Sequence, residues 1–254
     1  MFQNGFAWQM RYAGLVMSDQ DDTGEIVAAP DVYLRDRQQM VAQQVVSRGI
    51  APGPVTEAML RVPRHLFVPS EHQEQAYCDS ALPSLAHQTI SQPYMVAVMT
   101  AALRLERHHR VLEIGTGTGY QTAILAALAG DIYTIERVPE LAAQARKNLE
   151  WIGLSTVNFI VGDGSLGWPE AAPFDRILIT AAMPRIPEPL LDQLADGGIL
   201  VGPQGGASVQ TLVSIARDGN SFHQKAILDC RFVPLIGVHG WDEQAWQSQR
   251  QDRT

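Results

Sequence analysis

Apolar residues first fall into register at Asp31. Leu34, Met40, Val41, Val45 and Val46 share one side of a helical wheel, and Gly49 supplies a stop. A second, short helix is expected over Val55–Arg61, with Pro63 ending it. Residues 63–93 are rich in Pro, Ser and His and predict irregular structure. Pro93 then opens a helix through about Leu105, with Val96, Met99, Thr100 and Leu103 facing inward.

After Arg110 the rhythm changes to short apolar runs separated by helical stretches. Strands are expected at Val111–Ile114, Ile132–Ile135, Val157–Val161 and Arg176–Thr180, and helices over 119–129, 139–152 and 187–195. Gly197-Gly198 predicts a turn into a strand that starts at Ile199–Val201. Two further strand-like runs between Val209 and Leu235 have no helix between them, which suggests antiparallel pairing at a sheet edge. This alternation predicts an α/β fold: a doubly wound, mostly parallel, Rossmann-like sheet covered on both faces, preceded by a helical lobe. The expected division is a flexible extension over 1–30, a helical lobe with a substrate loop over 31–108, a core over 109–240 and a tail over 241–254.

Composition narrows the classes. The chain has 254 residues, 46% hydrophobic, enough for one sizeable core or a core with an appended lobe. A net charge of -8 argues against a general nucleic-acid binder and gives no attraction to anionic membranes. No stretch reaches the apolar length of a membrane span. Gln9 and Arg11 interrupt the apolar residues at the start, so no signal peptide is expected, and Met10 or Met17 is a possible alternative start. Cys78 and Cys230 are the only cysteines, which fits a reducing, cytoplasmic setting and neither a disulfide scaffold nor a cysteine-built metal site.

Two motifs carry chemistry. Gly115, Gly117 and Gly119 follow a strand and open a helix, in a GxGxG spacing that differs from the dinucleotide GxGxxG. Glycine allows positive φ and close approach of a ligand to the backbone. Glu136 ends the next strand, where a carboxylate can accept both ribose hydroxyl protons. Asp163 ends the third strand and can accept from an adenine amino group. The alternative is that both carboxylates only cap the turns that follow. The second motif is Gln88-Thr89-Ile90-Ser91-Gln92-Pro93, where Ser91 is either a helix N-cap or a hydroxyl aimed at substrate. Asp79 and His87 lie near it and are ambiguous in the same way.

The ordered set resembles the protein-L-isoaspartate O-methyltransferase family, of the class I S-adenosylmethionine-dependent fold, from about residue 35 to about 237. The likeness runs through Arg61–Pro69, Ala76–Asp79, Gln88–Pro93, Val111–Thr122, Glu136-Arg137, Gly162–Gly164, Ala172–Asp175, Thr180–Ala182 and Arg231–Leu235. It implies methyl transfer from S-adenosyl-L-methionine to the free carboxylate of isoaspartyl residues in damaged proteins and peptides, the first step of their repair. It makes Ser91 the active-site serine. It assigns Glu113, Gly115, Thr116, Gly117, Gly119, Glu136, Asp163 and Gly164 to the cofactor. Asp79, His87, Thr89, Ile90 and Val233 go to the acceptor, and no metal is required. One departure is clear: where the family has a run like Leu-Pro-Ile-Gly-His-Gly, this chain has Leu82-Pro83-Ser84-Leu85-Ala86-His87, with side chains at both glycine places. A methyltransferase of the same fold with another acceptor, and a non-catalytic module binding cofactor or peptide, are the competing expectations; a dehydrogenase is the outsider.

Overall fold

The structure is a computed structural model that describes residues 31–251; the expected extension over 1–30 and the last three residues of the tail lie outside the described residues. The chain begins with helix α1 (Leu34–Met40), which widens into a π turn over Val41–Val45 and a 3₁₀ turn over Val46–Arg48. Gly49 then stops it with φ 97°. Helix α2 (Pro54–Arg61) follows, and 3₁₀ turns lead to a small hairpin of β1 (Leu82–Pro83) and β2 (Thr89–Ile90). Helix α3 (Pro93–Leu103) starts on Pro93, and Arg104 ends it in the left-handed region.

The core alternates β3 (Arg110–Ile114), α4 (Tyr120–Leu128), β4 (Asp131–Glu136), α5 (Pro139–Trp151), β5 (Asn158–Val161), β6 (Phe174–Ile179) and the short α6 (Glu188–Asp192). It continues through β7 (Leu194–Gly205), β8 (Gln210–Asp218) and β9 (Ser221–Cys230), and α7 (Glu243–Gln251) closes the described chain. The sheet order is β5-β4-β3-β6-β7-β8-β9. The first five strands run parallel, and β8 and β9 pair antiparallel at one edge.

Two expectations need correction. Gly197-Gly198 is no turn before a strand; the pair lies inside β7, where the register against β6 jumps between Phe174–Leu194 and Arg176–Ile199 and the intervening residues bulge out. The helix expected over 187–195 is only Glu188–Asp192, because β7 already begins at Leu194.

The central strands are apolar on both faces because helices cover both. Val111, Leu112, Ile177, Leu178 and Ile179 are all fully buried, each worth roughly 1.5–3 kcal/mol of transfer free energy. One apolar cluster joins Met40, Val45, Met59 and Phe67 to Tyr120, Ile124 and Leu149 of α4 and α5, so the N-terminal helices share a core with the sheet's cover. That packing places the β2–α3 segment over the carboxyl ends of the parallel strands. No helix among the described residues is long and apolar enough to cross a membrane.

Candidate active site

The carboxyl ends of β3, β4 and β6 form the floor of a cleft of about 1460 Å³. At its centre is the glycine turn. Gly115 (φ 91°) must be glycine: a Cβ there would lie 2.4 Å from Thr180 Oγ1, which donates to the Gly115 carbonyl at 2.6 Å. Gly117 (φ 58°) faces open space, with no atom within 4 Å of its Cβ position, and leaves room for a ligand against the backbone.

Most of the turn's N–H groups are already engaged. Those of Gly115 and Thr116 donate to the Ile135 carbonyl, and that of Gly119 to Thr116. The Gly117 N–H donates to Glu136 Oε2 at 2.9 Å. A pyrophosphate would find few donors here, which disfavours the dinucleotide alternative. Glu136 also accepts from Val138 N–H at 2.9 Å through Oε1. Each carboxylate oxygen takes one backbone bond and keeps acceptor capacity. Glu136 therefore caps its turn and lines the cleft beside the space over Gly117, which suits the two hydroxyls of a ribose.

The opposite wall comes from the β1–β2 hairpin and the start of α3. Ser91 lines the cleft half-buried. The N-cap of α3 is Gln92 and has no side-chain capping bond. The Ser91 hydroxyl has no hydrogen-bond partner among the described residues, so the helix-cap alternative does not hold. Its backbone is fixed from below by the fully buried Arg64, whose guanidinium donates to the Ser91 carbonyl at 2.8 Å and to the Ala76 carbonyl at 2.7 Å. Burial lowers Arg64 from its ordinary value to about 10, which leaves it charged at neutral pH.

Thr89, Ile90, His87 and Asp79 line the same wall. Asp79 pairs with Arg48 at 3.1 Å and accepts from Gln92 Nε2 at 2.7 Å. Arg48 in turn lies over the Tyr94 ring at 3.6 Å. Val233 enters from the segment after β9; its carbonyl accepts from Ala182 N–H at 2.7 Å. Its own N–H has no partner among the described residues. The substituted hairpin loop carries two successive left-handed residues, Ala86 (φ 53°) and His87 (φ 57°), and Leu85 is not one of them. The side chain at Leu85 is thus accommodated without backbone strain. His87 keeps a conformation that glycine favours, at a cost of about 1 kcal/mol or more.

Three expected cofactor residues do not reach the cleft. Glu113 is fully buried beneath the glycine turn, where Oε2 accepts from Thr122 at 2.5 Å and Thr134 at 2.7 Å and Oε1 has no partner. Burial, only partly offset by those two bonds, pushes its carboxyl up to about 8. Gly119 (φ 92°) begins α4 and faces Leu149 and Ala145 of α5, not the cavity. Asp163 is occupied elsewhere: Oδ1 accepts from Ser165 N–H and Oγ at 2.8 and 2.7 Å, and Oδ2 from Val238 N–H at 2.8 Å. It caps the turn that follows it, as Glu136 caps its own. Gly164 beside it does line the cleft, and a Cβ there would lie 2.4 Å from Ile114. Residues that sequence reasoning missed include Thr180, Arg64, Tyr94 and, in the tail, Trp246, which also lines the cleft. Only Thr180 and Arg64 sat within recognisable motifs, and no local signal distinguished them there.

A doubly wound sheet with an open cleft at its carboxyl edge and an added helical wall is the architecture of the Rossmann-like methyltransferase fold. The family model described as protein-L-isoaspartate(D-aspartate) O-methyltransferase (PCMT) matches residues 35–240. The chain is 55% identical over 207 residues to a protein-L-isoaspartate O-methyltransferase of Trichlorobacter lovleyi, covering 81% of this chain and 95% of the relative. It is 52% identical over 207 residues to one of Methanoregula boonei, covering 82% and 95%. A solved protein-L-isoaspartate O-methyltransferase superposes with a TM-score of 0.73 at 27% identity, covering 80% of this chain and 67% of that one. A Plasmodium falciparum protein solved with S-adenosyl-L-homocysteine shares the fold at a TM-score of 0.70 and 24% identity, covering 79% of this chain and 98% of that one. The chain belongs to the protein-L-isoaspartate(D-aspartate) O-methyltransferase family.

Proposed function

We propose that Ser91 and Val233 receive the acceptor, and Glu136 with the Gly115–Gly117 turn the donor, in the reaction of this family. That reaction is methyl transfer from S-adenosyl-L-methionine to the free carboxylate of an isoaspartyl residue in a damaged protein or peptide. The observation that carries the assignment is a single cleft lined both by Glu136 and the open space over Gly117 and by Ser91, whose hydroxyl has no partner among the described residues.

The cofactor, when bound, supplies a methyl carbon on a sulfonium: the new C–O bond forms as the C–S bond breaks, and the electron pair goes to sulfur. The chain's residues move no proton. A carboxyl group ionises near pH 4, so the acceptor is already a nucleophile at neutral pH and needs no general base. Ser91 donates a hydrogen bond that orients the carboxylate, and the Val233 N–H offers a second donor for the peptide. Glu136 holds the ribose. Such orientation supplies on the order of 7–11 kcal/mol.

The test is transfer of labelled methyl to a short isoaspartyl peptide, with the aspartyl version as control. Labelling of the isoaspartyl peptide alone is expected. Cofactor binding with no transfer to either peptide would favour the second reading, another acceptor, for which the substituted loop Ser84–His87 is the motive.

A further inference from the structure

The tail lies beyond the family match, which ends at residue 240, yet it returns to the cleft. After Val233 and Leu235 pair with Ala182 beyond β6, the chain crosses the carboxyl edge of the sheet to β5. There Val238 N–H donates to Asp163 and His239 N–H to Ser165 Oγ at 3.1 Å. The approach is close: a Cβ on Gly237 would lie 2.0 Å from Asp163 Oδ1. Asp242 then caps α7, its Oδ1 accepting from the N–H groups of Gln244 and Ala245 at 3.0 Å each.

Of the described side chains on α7, Trp246 alone is buried, at 6% exposure; Glu243, Gln244, Ala245, Gln247 and Ser248 are exposed. Trp246 packs edge-on to Trp241, ring centroids 5.3 Å apart, and belongs to none of the three apolar clusters of the core. A buried indole that does not serve the core lines the cleft instead. The turn that leads into α7 touches the end of β5, next to β4 and Glu136, through Val238 and His239, and its base returns to the Ala182 pairing, where Trp241 N–H donates to the Leu235 carbonyl at 2.7 Å.

We propose that Trp246 is a cofactor-binding residue: the C-terminal helix completes the nucleoside side of the cleft and presses the indole against the adenosyl group. The inference rests on the cleft being the S-adenosyl-L-methionine site. The chemistry is apt, because the part of a rigid indole that reaches the cleft gives a base a fixed apolar contact.

The test is calorimetric titration of the full chain with S-adenosyl-L-homocysteine, for wild type, Trp246→Ala, Trp246→Phe and the exposed control Gln244→Ala. Trp246→Ala is expected to bind roughly tenfold more weakly, with Trp246→Phe recovering most of the loss and Gln244→Ala matching wild type. Ligand-induced change in tryptophan fluorescence, present in wild type and diminished in Trp246→Phe, supports the contact independently of any loss of fold. Equal affinity of wild type and a folded Trp246→Ala overturns the proposal and leaves the cleft assignment standing. So does a rise in KM for isoaspartyl peptide at unchanged affinity, which places the helix over the acceptor. Failure of wild type itself to bind S-adenosyl-L-homocysteine overturns the cofactor assignment and this inference with it.

Discussion

Replacing Ser91 with alanine separates two jobs that one hydroxyl can hold. As a helix cap it would contribute about 1 kcal/mol to stability. The fold gives it no such bond: Gln92 is the N-cap of α3, and the Ser91 side chain faces the cleft without a partner. Ser91→Ala should therefore unfold within about 0.5 kcal/mol of wild type. Its catalytic cost is that of one hydrogen bond to a charged acceptor, about 1.5–3 kcal/mol, or roughly 10- to 150-fold in kcat/KM. S-adenosyl-L-homocysteine affinity should stay within about twofold, because the donor side is built from Gly117 and Glu136. The assay pairs labelled-methyl transfer to an isoaspartyl peptide with a urea melt and a calorimetric titration of the same preparations. A stability loss of a full kcal/mol, a parallel fall in cofactor affinity, or unchanged kcat/KM would each show that the hydroxyl does not orient the acceptor.

Glu136→Ala removes the acceptor of two backbone N–H bonds and the proposed ribose contact, so cofactor binding by calorimetry should weaken roughly 10-fold or more. Arg64→Lys loses the fork that holds the Ser91 and Ala76 carbonyls; kcat for the isoaspartyl peptide should fall while cofactor affinity holds. His65, stacked on Tyr33 and held near Tyr77, is pushed down to about 4, chiefly by burial. The unfolded chain therefore binds its proton first, and wild type should lose about 2 kcal/mol relative to His65→Gln in melts between pH 7 and 5. Glu113, raised to about 8, acts in the opposite sense, since its contribution is full at low pH and is lost as pH rises from 4.5 through 8. Glu113→Gln keeps an oxygen for Thr122 and Thr134, and its advantage over wild type in the same melts should grow by roughly 3 kcal/mol from pH 5 to 8.

The parallel core was legible because its strands are short apolar runs between glycines and helical stretches, a pattern with few alternatives. The glycine pair at 197–198 misled because a bulge and a turn use the same residue, and only pairing with β6 distinguishes them. Ser91 and Glu136 were legible as cleft residues from their motifs, since each ends a segment aimed at the carboxyl edge. Glu113 was not, because strand alternation turns it away from the cavity and onto two threonines of α4 and β4. The contacts of Asp163 were illegible for a different reason: one of its partners, Val238, lies 75 residues later in the chain. Trp246 carries no motif at all, and its place in the cleft depends on the Gly237–His239 crossing that Asp163 secures.

The most direct measurement is to incubate an aged, isoaspartyl-containing protein with this chain and labelled S-adenosyl-L-methionine, then treat the product with mild base. The label should be released as volatile methanol, and the isoaspartyl content of the protein should fall over repeated rounds. Label that survives base treatment, or isoaspartyl content that does not change, would mean the cleft methylates something else.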